Sequence, residues 1–335
     1  MLLTLITSFA TCLILVPLCE RLALKWGLVD VPGDRKIHTK PTPVSGGIAV
    51  FFGIAAGICI NSGLLNDLAP LLLCGALIVL VGLLDALRLV HAQVKLLVVM
   101  PLVSVVLIFS GFGLKMFPWD FLNHFFTVVW VMGVAGAFNL IDGMDGLCSG
   151  LSLIASVFFL FWALEVKDPL ITVTSISIAG SSLGFLLFNF YPARIFLGDG
   201  GAMLLGFLLS FLGLMLANSE KLNLLTRWMI PVLVLSVPIF DTTLISFSRL
   251  RKGVIPFLHP GRDHLHHRFL DIFRTQKKTV VFMYLLATIG GFLSILTGRA
   301  NIRLAYTVFV TILFVCLFFI LWLEKTAEEK ARGHK

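Results

Sequence analysis

Val128-Val-Trp-Val-Met-Gly-Val-Ala-Gly-Ala-Phe-Asn-Leu-Ile-Asp142-Gly-Met-Asp145-Gly146 sets a long apolar run directly against a short acidic cluster. The run reaches back to residue 122, about 20 residues in all, which is the length of helix that crosses a bilayer core. The pattern recurs along the chain. Comparable apolar runs lie at 3–22, 45–63, 69–86, 93–112, 147–165, 170–189, 200–217, 226–247, 279–297 and 303–323. Polar residues gather in five clusters, Asp30 to Gly47, Asp85 to Lys95, Asn139 to Gly146, Phe188 to Gly201 and Arg249 to His267. Backbone groups in lipid must be satisfied within their own segment, so these runs predict helices. They are continuous rather than alternating, which argues against a β-barrel. The expected fold is an all-α integral membrane protein, a polytopic bundle of about 11 transmembrane helices. Residues 1–323 form its single membrane domain and 324–335 a charged cytoplasmic tail.

Composition points the same way. The chain is 58% hydrophobic and 13% charged, with a mean hydropathy of +1.00, far beyond what a soluble core needs. The first run has no basic leader and no small-residue cleavage site, so it reads as a retained helix. Cys12, Cys19, Cys59, Cys74, Cys148 and Cys316 all lie in apolar runs without a Cys-x-x-Cys, as small hydrophobes rather than redox or zinc ligands.

Lysine and arginine set the expected orientation. With the N-terminus outside, 20 of the 26 basic residues fall on the inner side and six on the outer. The C-terminus and all five polar clusters then face the cytoplasm. This bias, together with anionic lipid, accounts for the net charge of +8 without a nucleic-acid partner.

The clusters suggest phosphate and metal chemistry. In the first, Lys40 and Thr42 are donors suited to phosphate oxygens, and Gly46-Gly47 opens a helix whose free N–H groups favour an anion. An ordinary basic juxtamembrane loop has the same composition. In the second, Asp85 precedes Arg88, His91 and Lys95, and Lys95 reads equally as a snorkelling anchor. In the third, Asn139, Asp142 and Asp145 are three apart, on one broad helix face, and carboxylates at a membrane are functional by default. In the fourth, which opens with Asn189 and its neighbours, Asp199 stands between glycines at a helix start. It is suited either to cap that helix or to join a Mg²⁺ shell completed by water and phosphate. In the fifth, the forks of Arg249, Arg251 and Arg262 suit phosphate. His264, His266 and His267 beside Asp263 raise zinc, but no cysteine accompanies them, and the carboxylates elsewhere suit Mg²⁺ or Mn²⁺ better. Asp241, inside the run 226–247, is a further buried carboxylate.

Taken in order, four stretches resemble the polyprenyl-phosphate N-acetylhexosamine-1-phosphate transferases (glycosyltransferase 4 family), in their WecA/TagO-like branch. They are Asp30–Gly47, the Asn-x-x-Asp-Gly-x-Asp-Gly-Leu pattern of Asn139–Leu147, the Pro-Ala-x-x-Phe-x-Gly-Asp pattern within Asn189–Gly201, and His264-Leu-His266-His267. The resemblance spans nearly the whole chain. It implies a bacterial inner-membrane enzyme, UDP-GlcNAc:undecaprenyl-phosphate GlcNAc-1-phosphate transferase, that begins a cell-envelope glycan such as an O-antigen, a common antigen or a teichoic acid. It implies Mg²⁺ (or Mn²⁺) as cofactor, held by Asp199. Asp30 and Asp85 would orient the lipid phosphate, and Asn139, Asp142 and Asp145 the nucleotide or metal-bound water. Lys95, Arg249 and Arg251 would contact phosphate, with Lys40, Thr42 and Asn189 also at the substrates, and Arg262 with the three histidines would meet the sugar-phosphate. A homodimer is a family-level expectation. The family carries paired aspartates where this chain reads Asp85-Ala86, and many relatives have Ser at the position of Ala202. Ala86 keeps open a weakened or non-catalytic binding variant. A secondary transporter is the other alternative, although no internal repeat is evident.

Overall fold

The computed structural model describes residues 1–32, 40–90, 94–251, 253 and 264–333, the last seven as backbone alone. The described residues form helices α1 (Leu2–Trp26), α2 (Gly46–Cys59), α3 (Leu65–Ala86), α4 (Met100–Phe109), α5 (Asp120–Ile141), α6 (Leu147–Val166), α7 (Pro169–Asn189), α8 (Asp199–Asn218), α9 (Met229–Val234), α10 (Ser236–Arg251), α11 (Leu265–Phe273), α12 (Gln276–Arg299) and α13 (Ile302–Gly333). A π-helical turn, Lys95–Val99, leads into α4. One two-residue antiparallel ladder pairs β1 (Val29–Asp30) with β2 (Thr42–Pro43), setting Asp30 opposite Thr42.

This is a helical, multi-pass membrane protein. Eight helices among the described residues are long and apolar enough to cross a bilayer. The expected total of about 11 meets two kinds of exception. Gly46–Cys59 and Lys95–Phe109 are apolar but shorter than a full span. The run 226–247 is broken at Leu235 into α9 and α10. Pro238 explains that break, since its ring would clash with the carbonyl of residue 234 and it has no N–H to give. The tail boundary at 323 is not a structural one, because α13 continues through it.

The outside of the bundle is as apolar as its inside. Ile14, Leu73, Phe109, Phe121 and Phe318 are all at least 70% exposed, as side chains facing lipid tails should be. Four of the six cysteines are buried as expected, whereas Cys59 is exposed at the end of α2 and Cys316 is half-buried. Packing between α1, α2 and α7 relies on small residues. Ser8, Gly53, Gly57, Ser177 and Gly180 meet there, and Ser181 Oγ donates to the Val50 carbonyl at 2.8 Å.

The centre of the bundle is α8. Its most apolar window is 94% buried, against 17% for the peripheral α13. Glycines let α2 and α3 reach its backbone at one end. A Cβ built on Gly82 of α3 would stand 2.3 Å from Gly200 Cα, and one on Gly47 of α2 would stand 2.5 Å from Gly201 Cα. Three helix ends therefore converge at the start of α8, each carrying a polar cluster.

Candidate active site

All five polar clusters contribute to one open pocket of about 810 Å³ at this end of the bundle. Its lining includes Asp30, Asp85, Asp142, Asp145, Asp199 and His267. Residues as far apart in sequence as Asp30 and His267 thus share one cavity because the segments that bear them are neighbours.

Asp199 is the first residue of α8, after Gly198 with φ 74°, a left-handed conformation that disfavours side chains. Gly198 is the N-cap and no side chain caps the helix, so Asp199 is not the capping residue. Its carboxylate turns instead to Lys95, with Nζ–Oδ2 at 2.5 Å, and the same Nζ lies 2.5 Å from Asp85 Oδ2. Lys95 is no snorkelling anchor. Its side chain is only 4% exposed, and one ammonium is shared by two carboxylates from α3 and α8. The π-turn that begins at Lys95 swings it inward, a use of such turns seen at functional sites.

Asp142 follows the last residue of α5 and is half-buried beside this group. Burial, and then the negative charges of Asp199 and Asp145, push its pKa up to about 8. Repulsion among these neighbouring carboxylates would be relieved by a bound cation. The donor set fits as well, since oxygen ligands from one or two carboxylates, completed by water and phosphate, suit Mg²⁺. Asn139 Oδ1, one turn before Asp142, is a buried acceptor without a hydrogen-bond partner.

The loop 142–146 is held from several sides. Asp145 Oδ2 accepts from Ala193 N at 2.9 Å. Asn189 Oδ1 accepts from Gly146 N (3.1 Å) and Ser149 Oγ (2.9 Å), and its Nδ2 donates to the Ile195 carbonyl at 2.9 Å. Asn189 therefore lines the pocket while stitching the third cluster to the fourth. Tyr284 of α12 donates to the Gly146 carbonyl at 2.5 Å, a partner that no sequence signal disclosed.

Other expected residues stand apart from the cavity. Thr42 is buried in the short ladder and its hydroxyl donates to the Lys40 carbonyl at 3.1 Å. Lys40, Thr42, Arg249, Arg251, His264 and His266 are not among the lining residues, and neither are Asn139 and Lys95, the latter meeting the pocket through Asp85 and Asp199. The N–H groups of Gly46 and Gly47, expected to face an anion, donate to the carbonyls of Phe196 (3.0 Å) and Leu197 (2.8 Å). Their task is to join α2 to the segment before α8. Arg262, Asp263, His91 and the span 33–39 lie outside the described residues.

The histidine element begins α11, and its carboxylate partner is Asp241 of α10, from across the fold. Asp241 Oδ1 accepts from Leu265 N at 2.6 Å and Oδ2 lies 3.0 Å from His264 Nδ1. His266 packs its ring against Gly143, where a Cβ would meet Nε2 at 2.5 Å, and His267 reaches the pocket. At the other end of α11, Arg268 pairs with Glu324 of α13 at 2.6 Å, and Glu324 also accepts from Ser248 at 3.2 Å.

Comparison with known proteins bears on this geometry. The family model described as glycosyl transferase family 4 matches residues 68–217, which include Asp85, Lys95, the 139–146 element and Asp199. The chain is 35% identical to the probable undecaprenyl-phosphate N-acetylglucosaminyl 1-phosphate transferase of Bacillus subtilis, covering 92% of this chain and 88% of that one. It is 32% identical to a decaprenyl-phosphate N-acetylglucosaminephosphotransferase of Mycolicibacterium smegmatis, over 86% and 78% of the two chains. It is 26% identical to the undecaprenyl-phosphate alpha-N-acetylglucosaminyl 1-phosphate transferase of Escherichia coli K12, over 90% and 84%. With likeness of that extent, and with the family's acidic elements drawn into one pocket, the chain belongs to the polyprenyl-phosphate N-acetylhexosamine-1-phosphate transferases of glycosyl transferase family 4.

Proposed function

We propose that this protein transfers N-acetylglucosamine 1-phosphate from UDP-GlcNAc to undecaprenyl phosphate, releasing UMP, at the cytoplasmic face of a bacterial inner membrane. The observation that carries the reading is the sharing of Lys95 between Asp85 and Asp199 in a pocket to which all five clusters contribute. The names of the relatives favour the transferase over a transporter or a non-catalytic scaffold.

Two anionic substrates have to meet, so neutralising charge is the main catalytic task. An oxygen of the lipid phosphate attacks the β-phosphorus of the donor. The bond from that phosphorus to the bridging oxygen breaks, and UMP departs with the electron pair. The attacking phosphate is largely ionised at neutral pH, so no general base is required. Lys95 fixes Asp85 and Asp199 relative to each other, and Asp30 lines the same cavity. Asp199, with Asp142 beside it, would hold a Mg²⁺ or Mn²⁺ ion, which supplies electrostatic stabilisation of the pyrophosphate. His267 lines the cavity, where it would meet the sugar-phosphate. Positioning and electrostatics supply most of the rate in such transfers.

Membrane vesicles given labelled UDP-GlcNAc and undecaprenyl phosphate test the reaction directly. Divalent-metal-dependent label in the lipid fraction is expected; uptake of intact donor, or binding without lipid product, would overturn the reading. Orientation is tested separately in a Cys59→Ser background. A cysteine at Leu89, near the pocket, should react with an impermeant maleimide only in inverted vesicles, and one at Leu225 only in right-side-out ones. The reverse pattern would overturn the topology drawn from the basic-residue bias.

A further inference from the structure

Asp241, His264 and His266 form a second polar grouping, sealed in the protein and separate from the five-carboxylate pocket. Their exposures are 0%, 7% and 1%. One potential ligand atom from each lies within 4.8 Å of the other two. Two features of this grouping are left unexplained by packing. A carboxylate with no solvent access sits on α10, and its partners among the described residues are one backbone N–H and one imidazole nitrogen. Buried carboxylates ordinarily stand beside a compensating charge. In addition, His266 Nδ1 is buried without a hydrogen-bond partner, although buried polar atoms are nearly always satisfied.

We propose that Asp241, His264 and His266 form a binding site for a borderline divalent transition metal, of which Zn²⁺ is the natural test ion. Two imidazoles with one carboxylate are ligands that such ions take in preference to Mg²⁺. The 3.0 Å between His264 Nδ1 and Asp241 Oδ2 is close to the ~3.0–3.4 Å that separates two ligands each about 2.1 Å from one ion. Asp241 Oδ1 is already fixed by the Leu265 N–H, the kind of supporting contact that orients a metal-bound carboxylate.

Such an ion would have a structural effect on the site next door. It would tie α10 to the start of α11, and so fix His266 over Gly143 and His267 at the cavity. The ion is distinct from the one expected at Asp199, and the failure of this inference would leave the transferase reading untouched.

The test reads metal content rather than transfer. The full chain is purified in detergent with a histidine-free tag, in buffers without chelators or added metal, and its metals are measured by inductively coupled plasma mass spectrometry. About one equivalent of zinc or another transition metal per chain is expected before or after equilibration with Zn²⁺. The Asp199→Asn protein should retain it, whereas Asp241→Asn and His266→Gln should lower the affinity at least ~10-fold. Wild-type protein loaded with Co²⁺ should show visible d–d absorption of nitrogen and oxygen ligation, a readout that does not depend on the variants folding. No bound metal and no Co²⁺ absorption in wild-type protein would overturn the proposal and leave an Asp241–His264 ion pair in its place. Retention of the metal by folded Asp241→Asn and His266→Gln proteins would overturn it as well.

Discussion

Gly82 and Gly200 bring α3 and α8 into backbone contact one turn from Asp85 and one residue from Asp199. A Cβ on Gly82 would stand 2.3 Å from Gly200 Cα and 2.8 Å from its nitrogen, where no flexible side chain can yield. This approach is what allows Lys95 to reach both carboxylates at once.

Gly82→Ala should therefore separate the two helix ends. The expected cost in stability is about 1–3 kcal/mol, the usual cost of overpacking, and transfer should fall by more than that loss explains. Thermal unfolding in detergent and the rate of lipid-linked product formation check the two effects. A variant with wild-type stability and rate would show that the helices can part without consequence.

Lys95→Met removes the shared ammonium and leaves Asp85 facing Asp199 with no cation between them. Because Asp199 is more than half exposed, the destabilisation should be ~1–3 kcal/mol rather than the larger cost of a fully buried pair. Lys95→Arg should not rescue activity, since a planar fork does not replace a point charge that two carboxylates share. Combining Lys95→Met with Asp199→Asn should recover part of the lost stability, and this non-additivity is read from a double-mutant cycle.

Asp199→Asn should abolish transfer while leaving insertion and folding nearly intact. The side chain caps nothing and is more than half exposed, and Asp85 remains as a partner for Lys95, so the loss of one of the two carboxylates should cost little in folding. Losing a principal metal ligand should cost several kcal/mol of transition-state stabilisation, on the order of a thousandfold or more in rate. Substantial metal-dependent turnover in well-folded Asp199→Asn protein would remove Asp199 from the metal.

Ala86→Asp should raise activity with little change in stability. Ala86 lines the cavity beside Asp85, at the position where the family resemblance leads one to expect a second aspartate. A hydrated carboxylate there costs little in folding, whereas one well-placed electrostatic element is worth about 3 kcal/mol, or on the order of a hundredfold in rate. Equal or lower transfer at matched Mg²⁺ would mark Ala86 as an adaptation of this chain.

The helices were legible because hydropathy is a local property: every apolar run predicted from the sequence falls on helix. Span lengths were less so. Pro238 breaks one run, and the brevity of α2 follows from its N-terminus being tied to Phe196 and Leu197, a contact between distant segments. In the pocket, Asp30, Asp85, Asp142, Asp145 and Asp199 could be singled out because charge beside a bilayer is costly and conspicuous. Lys95 was conspicuous for the same reason, but its two partners come from positions 10 residues before and 104 after it. Asp263 is the nearest acid to the histidines in sequence, yet His264 turns to Asp241, 23 residues away. Tyr284 left no trace at all, being one aromatic among many on an apolar helix. Partners across a fold are set by how helix ends pack, and periodicity alone does not encode that.

The Arg268–Glu324 bridge bears on how this protein can be handled at the bench. By exposure alone, α13 looks like a peripheral helix that could be trimmed to obtain a smaller, better-behaved particle. Glu324 is nevertheless buried and holds the counter-charge for α11, the helix that carries the histidines. A truncation that ends before 324 would take Glu324 from both Arg268 and Ser248 and weaken the hold on α11, so loss of activity in such a protein would say nothing about the tail beyond it. Tags and fusion partners belong beyond Glu324, so that its contacts with Ser248 and Arg268 are kept.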